Sequence, residues 1–213
     1  NRWAFVNINM RPYYAEGSKT LGHEVAEQLN WRSPDHCVVP AASGELHTKI
    51  WKGLSEMADV GLIDTPKTKM HLVQPEGCSP IVEAFEQNET QVRPIKPDTI
   101  AKSLAIGNPA SGPYSLQTLY RTSGVAVASL EEKVTQGISM LAETEGIFTE
   151  TAGGVVVSGL KELVDRGLIK PEEITVAYIT GNGFKTVEVV QDLAKPVTTT
   201  ADYRSAQQVL KLI

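Results

Sequence analysis

Cys37-Val38-Val39-Pro40-Ala41-Ala42-Ser43-Gly44-Glu45-Leu46 is the stretch whose reading decides the fold. A short apolar run stops at a proline, which has no N–H to give to a central ladder, and a loop of small residues follows. Beyond the loop, Leu46, Ile50, Leu54 and Met57 recur at helical spacing, so the segment reads as strand, tight turn, helix. Small residues let the backbone turn sharply and come close to a ligand. The start of the helix adds N–H groups without intrahelical acceptors and a positive dipole end, a combination that suits phosphate. A plain connecting turn has the same composition, so the stretch alone sets the order of elements and not a ligand.

The same alternation continues in both directions. Residues 3–9 read as a strand, and residues 16–29 as an amphipathic helix with Leu21, Val25 and Leu29 on one face. Residues 69–74 form the next strand, followed by a turn at Pro75-Glu76-Gly77 and a short helix over residues 80–87. Residues 88–97 are polar and proline-punctuated, a surface loop. Residues 125–128 read as a strand, and Ser129 with Glu132 as a capping box for a helix to about residue 144. A further helix covers residues 151–166 with Gly167 as its C-terminal stop, and residues 174–180 form a near-continuous apolar strand. Strands alternating with helices predict an α/β fold, a parallel twisted sheet flanked by helices.

Composition bounds the function. The 213 residues are 41% hydrophobic and 21% charged, enough for one large domain with a sizeable core. With 20 basic and 25 acidic residues, net charge −5 and no basic run, the chain has no footprint for nucleic acid. Its apolar runs are short, so no membrane span is expected. Cys37 and Cys78 lack CxxC spacing, which favours a reduced, cytoplasmic setting. His23, His36, His47 and His71 lack metal-ligand spacing; no metal is expected, and these side chains are read as structural or surface groups. The chain opens on Asn1 rather than Met, which reads as a start in mid-frame.

A second loop of small residues, Thr180-Gly181-Asn182-Gly183-Phe184-Lys185, follows a strand as the first does. In open parallel sheets ligands sit outside the carboxyl ends of the strands, so the two loops are candidates to face one crevice. Thr180 brings a hydroxyl able to bond a ring nitrogen, or simply nearby backbone. Glu150 stands at a helix N-terminus, favoured there by the dipole whatever its role. Asn108 lies in the turn-rich Ile106-Gly107-Asn108-Pro109-Ala110-Ser111-Gly112, and Arg11, before Tyr13 and Tyr14, offers a fork for an anion. Each has an unremarkable reading as a surface or cap residue.

Six segments in register resemble threonine synthase, a member of the fold type II pyridoxal phosphate enzymes. They are Arg11-Pro12-Tyr13-Tyr14-Ala15-Glu16-Gly17-Ser18-Lys19-Thr20, Ser43-Gly44-Glu45-Leu46-His47-Thr48-Lys49-Ile50-Trp51-Lys52-Gly53 and Glu76-Gly77-Cys78-Ser79-Pro80-Ile81. Ser103-Leu104-Ala105-Ile106-Gly107-Asn108-Pro109, Glu145-Gly146-Ile147-Phe148-Thr149-Glu150-Thr151-Ala152-Gly153-Gly154 and Thr180-Gly181-Asn182-Gly183-Phe184-Lys185 complete the set. The resemblance implies the large domain of a tryptophan synthase beta-like fold, incomplete, with residues 1–213 as its C-terminal, cofactor-phosphate-binding portion.

It also implies roles. Ala42, Ser43, Gly44, Glu45 and Leu46 match the cradle for the phosphate of pyridoxal 5′-phosphate, and Thr180 matches the hydroxyl that meets the pyridine nitrogen. Asn7, Arg11, Asn108 and Glu150 lie where the family holds its phosphorylated amino-acid substrate. Ala41-Ala42 and Glu45 depart from the family's commoner glycine and small residue, and an acid beside a phosphate is repulsive unless it turns outward. The Schiff-base lysine belongs to an upstream Ser-x-Lys-Asp/Asn-Arg segment that this chain lacks; Lys19 sits in a different motif. The implied partners are therefore the N-terminal half, with most of the small domain, and, as a candidate, a second copy in a homodimer. The chain alone is expected to be inactive. A cysteate synthase-like enzyme, a threonine dehydratase-like enzyme and a non-catalytic anion- or partner-binding fragment are the rival readings.

Overall fold

The computed structural model describes residues 12–192 and 198–211. The strand expected over residues 3–9 lies outside them, as do Asn7 and Arg11. In chain order the elements are α1 (Pro12–Gly17), α2 (Thr20–Gln28), β1 (His36–Pro40), α3 (Glu45–Asp59), β2 (Lys69–Pro75) and α4 (Pro80–Glu86). Then come α5 (Gly112–Thr122), β3 (Ala126–Ser129), α6 (Glu131–Glu145), α7 (Thr151–Asp165), β4 (Thr175–Ala177) and α8 (Tyr203–Leu210). The four strands form one parallel sheet in the order β3-β2-β1-β4. His36 faces Lys69 on one side of β1 and Thr175 on the other, while Leu72 of β2 faces Ala126 of β3.

Both faces of the sheet are covered, as the continuous apolar runs demand. Side chains alternate along each strand. Val38, Val73 and Val127 pack on Val155, Val156 and Leu163 of α7. Cys37, Val39 and Met70 pack instead with Ile50 and Leu54 of α3 and Ala26 of α2. Leu72 and Ala126 meet Ile81 of α4 and Leu116 and Leu119 of α5. α7 is buried along most of its length because the sheet takes one side and α6 the other.

The α6–α7 contact is a close backbone approach. A Cβ on Gly154 would overlap the carbonyl oxygen of Val134, and one on Gly137 would overlap the carbonyl oxygen of Gly154. Gly154→Ala is expected to destabilise the chain by about 1–3 kcal/mol, because α6 must move as a body and the better helix propensity of alanine, about 1 kcal/mol, does not offset that. A melting temperature lower by a few degrees is the check, and an unchanged or higher one contradicts the packing.

Three expectations need correction. The helix read over residues 16–29 is two helices, broken between Gly17 and Thr20. The capping box does not form: Ser129 ends β3 with its hydroxyl buried and unpartnered among the described residues, and Leu130 is the cap residue of α6. The last strand is shorter than residues 174–180, because only Thr175–Ala177 reach the β1 ladder. The Gly167 stop is present, with φ +68 just past α7. No helix among the described residues is long and apolar enough to cross a membrane.

Candidate functional site

β1 leads through α3 to β2 on one side, while β4 lies on the other side of β1. β3 returns through α6 and α7 to β4 on the far side of β1, so the strand order reverses at β1, and this switch point is where an open α/β sheet leaves a crevice beyond its strand ends. A cleft of about 250 Å³ opens there. Pro40, Ala42, Ser43, Gly44, Glu45 and Leu46 form one wall, Glu150 and Ala152 another, and Thr180 stands at the rim. Ser103, Leu104 and Ile106 close it from a third side.

The wall from residues 40 to 46 is the β1–α3 turn. Gly44 sits at φ +86, a left-handed conformation that lets the chain leave β1 and enter a 15-residue helix within four residues of Pro40. The turn is held from behind. Ser111 N donates to Ser43 O at 3.0 Å, and Ser115 Oγ donates to Gly44 O at 3.1 Å. A Cβ on Gly44 would overlap Ser115 Oγ and come within 3.1 Å of Ser111 O. The first N–H groups of α3 have no intrahelical acceptor, and Glu45 and Leu46, which carry two of them, line the cleft. Ser43 Oγ accepts from Glu45 N at 3.4 Å, which leaves its own O–H available as a donor.

Glu45 does not oppose this donor set. Its side chain is taken up by the Ser111 hydroxyl, and Lys49 Nζ lies 3.6 Å from its Oε1. The acid stands between the cleft and a neighbouring cavity lined by Lys49, Lys52 and Tyr114. The unfavourable proximity expected from sequence is therefore answered by a hydroxyl and a cation.

Glu150 is the cap residue of α7 and is almost fully buried. Its backbone N donates to Gly181 O at 3.1 Å, Thr149 Oγ1 donates to the same oxygen at 2.9 Å, and Gly183 N donates to Phe148 O at 3.0 Å. These bonds clamp residues 148–150 to the loop after β4. Lys185 Nζ reaches 2.8 Å from Glu150 Oε2. Sequence reasoning named Glu150 and quoted Lys185 in a motif but did not pair them; the separation of 35 residues hides the contact.

Thr180 is exposed and three residues beyond the end of β4. Asn108 is exposed and does not line the cleft; its neighbours Leu104 and Ile106 do. Tyr14 and Ser18 also reach the cleft, which sequence reasoning did not assign to them. Cys37 lies in the core, its thiol pushed up to about 12 by burial, so it is no nucleophile near neutrality. Burial also raises Cys78. Among the described residues no cluster of histidine, cysteine or acidic side chains is arranged to hold a metal ion.

The donor set fits a small organic phosphate, and comparison with known proteins points the same way. Residues 1–181 match the family model "Pyridoxal-phosphate dependent enzyme". The threonine synthase of Methanocaldococcus jannaschii is 36% identical over 205 residues, covering 95% of this chain and 50% of the relative. That of Methanosarcina acetivorans is 35% identical over 191 residues, covering 89% and 47%. The chain spans about half the length of the curated relatives it matches. A fungal L-serine ammonia-lyase from Rhizomucor miehei superposes with TM-score 0.66 at 24% identity, over 81% of this chain and 53% of that one. Threonine deaminase isoform 2 from Solanum lycopersicum gives 0.65 at 20% identity, over 87% and 51%. These likenesses identify the fold as type II, with pyridoxal 5′-phosphate as the cofactor such chains carry. With the match over residues 1–181, most of its length, the chain belongs to the pyridoxal-phosphate dependent enzyme family.

Proposed function

We propose that residues 1–213 are the C-terminal, cofactor-phosphate-anchoring portion of a threonine synthase-like lyase, which converts O-phospho-L-homoserine and water to L-threonine and phosphate. The observation that carries the reading is the β1–α3 turn, whose residues 42–46 line the switch-point cleft at the N-terminus of α3. The 36% identity to a threonine synthase supports this substrate over those of the ammonia-lyase and deaminase, whose likeness at 24% and 20% concerns the fold alone.

In this reading Ala42, Ser43, Gly44, Glu45 and Leu46 hold the cofactor phosphate through backbone N–H groups at the positive end of α3. Thr180 offers a neutral hydroxyl to the ring nitrogen, and Glu150 forms the wall facing the phosphate turn. When bound, pyridoxal 5′-phosphate supplies the electron sink for carbanion chemistry. The chain's own residues bind and orient it, and the buried walls exclude water from one side. The covalent lysine and the main proton transfers are assigned to the part of the longer enzyme outside this chain. For Asn7, Arg11 and Asn108 the support is the motif resemblance.

The test joins this chain to a complementary segment carrying the lysine and supplies O-phospho-L-homoserine. Phosphate and threonine are expected in equal amounts, with none from this chain alone. Turnover of O-phosphoserine instead, or formation of a 2-oxo acid and ammonia from threonine, would replace the reading with one of its rivals.

A further inference from the structure

The cleft poses an electrostatic question. It is read as an anion site, yet two carboxylates, Glu45 and Glu150, line it. Glu45 has Ser111 and Lys49. Glu150 has its side chain 5% exposed and Lys185 Nζ at 2.8 Å from Oε2. Lys185 is not among the residues that line the cleft, so it meets the acid from behind.

The position of Lys185 is built. Asn182 Oδ1 accepts from Phe184 N at 2.9 Å, and Lys185 N donates to Asn182 O at 3.2 Å, which folds residues 183–185 into a single 3-10 turn. Phe184 packs edge-on against Phe148, ring centroids 5.5 Å apart at 88°. Gly183 N and Thr149 Oγ1 tie the turn to the strand-like bridge between Thr149 and Asn182. The clamp that carries Glu150 therefore also carries its cation.

We propose that Lys185 is a charge-compensating positioning residue: it neutralises Glu150 from outside the cleft so that the cleft accepts a phosphate-bearing ligand. This rests on the reading of the cleft as the cofactor-phosphate site. Lys185 is 60% exposed and Glu150 5%, so removing the lysine leaves a buried carboxylate without its nearby cation. A bare carboxylate in the wall opposite the β1–α3 turn then repels the phosphate, and at the intermediate dielectric of such a site the effect on affinity is about tenfold or more. A ligand without the phosphate feels little of it.

The experiment titrates the full chain with pyridoxine 5′-phosphate and with pyridoxine, neither of which has an aldehyde to bond to surface lysines. Lys185→Met is expected to weaken the phosphorylated ligand by about tenfold and the unphosphorylated one by less than about twofold. Lys185→Arg is expected to keep the wild-type preference, and Glu150→Gln/Lys185→Met to restore it. Equal weakening of both ligands by Lys185→Met, or no recovery in the double variant, marks Lys185 as a merely structural contact and overturns the proposal. A wild-type chain with no preference for the phosphorylated ligand overturns the reading of the cleft itself, whatever the variants do.

Discussion

Gly44→Val is expected to remove phosphate-selective binding and to destabilise the chain by about 3 kcal/mol. Two costs add. A β-branched residue at φ +86 is strained by about 1–3 kcal/mol. The new Cβ also overlaps Ser115 Oγ and crowds Ser111 O, both on the segment that supports the turn from behind. The turn relieves this only by opening, which carries the first N–H groups of α3 away from the cleft. Gly44→Ala meets the same obstacle with less strain, and Ser115→Ala beside it removes one of the two collisions, so the double variant is expected to regain part of the loss. Thermal melts and titration with pyridoxine 5′-phosphate check both effects. Undiminished affinity in Gly44→Val contradicts the turn as the anchor.

The second large effect is acid sensitivity in a range where carboxylates are still charged. His47 is fully buried, its Nε2 3.2 Å from Met70 O, and burial holds its pKa down to about 4. His71 is held down to about 3 by burial and by nearby His36, whose Nδ1 is 2.9 Å from His71 Nε2. His71 Nδ1 accepts from Val125 N at 3.1 Å, so in its neutral form Nε2 carries the proton and donates to His36. The unfolded chain takes up these protons near pH 6.5, whereas the folded chain does not until about 4 and about 3. Stability from both histidines is therefore complete above pH 6.5 and lost as pH falls, by up to about 1.4 kcal/mol per pH unit for each. Two units suffice for roughly 5 kcal/mol, comparable to the whole stability of many domains. Urea midpoints between pH 7.5 and 4.5 are the measurement. A steep fall below pH 6.5, about halved by His47→Gln, is expected; a flat profile down to pH 5 contradicts it.

Much of this architecture was legible because periodicity is local. β1, β2, β3, α3, α4, α6 and α7 follow from runs of two kinds, apolar stretches ended by Pro40 and Pro75 and helical faces such as Leu46, Ile50, Leu54 and Met57. What failed was decided by tertiary context. Ser129 has the spacing of a cap, but the β2 ladder holds it as the last residue of β3. The apolar run at residues 174–180 keeps only three residues in the ladder, Thr175–Ala177 opposite His36–Val38 of β1, and among the described residues no strand pairs with the other side of β4.

The site divides in the same way. The β1–α3 turn and the loop after β4 were readable as small residues following strands, and the sheet order brings them to one cleft. The fate of the two acids was not readable. Glu45 is met by Ser111, 66 residues away, and Glu150 by Lys185, 35 residues away, and no local pattern encodes either encounter. Asn108 rests on its motif alone: its neighbours Leu104 and Ile106 line the cleft, and Asn108 is exposed beside them.

The central claim, that the β1–α3 turn anchors a cofactor phosphate, is tested most directly by calorimetric titration of the wild-type chain with pyridoxine 5′-phosphate against pyridoxine. The account predicts at least about tenfold tighter binding of the phosphorylated ligand, consistent with charge-assisted bonds to several N–H groups, and competition by inorganic phosphate. Equal affinity for the two ligands, with no competition by phosphate, would contradict it.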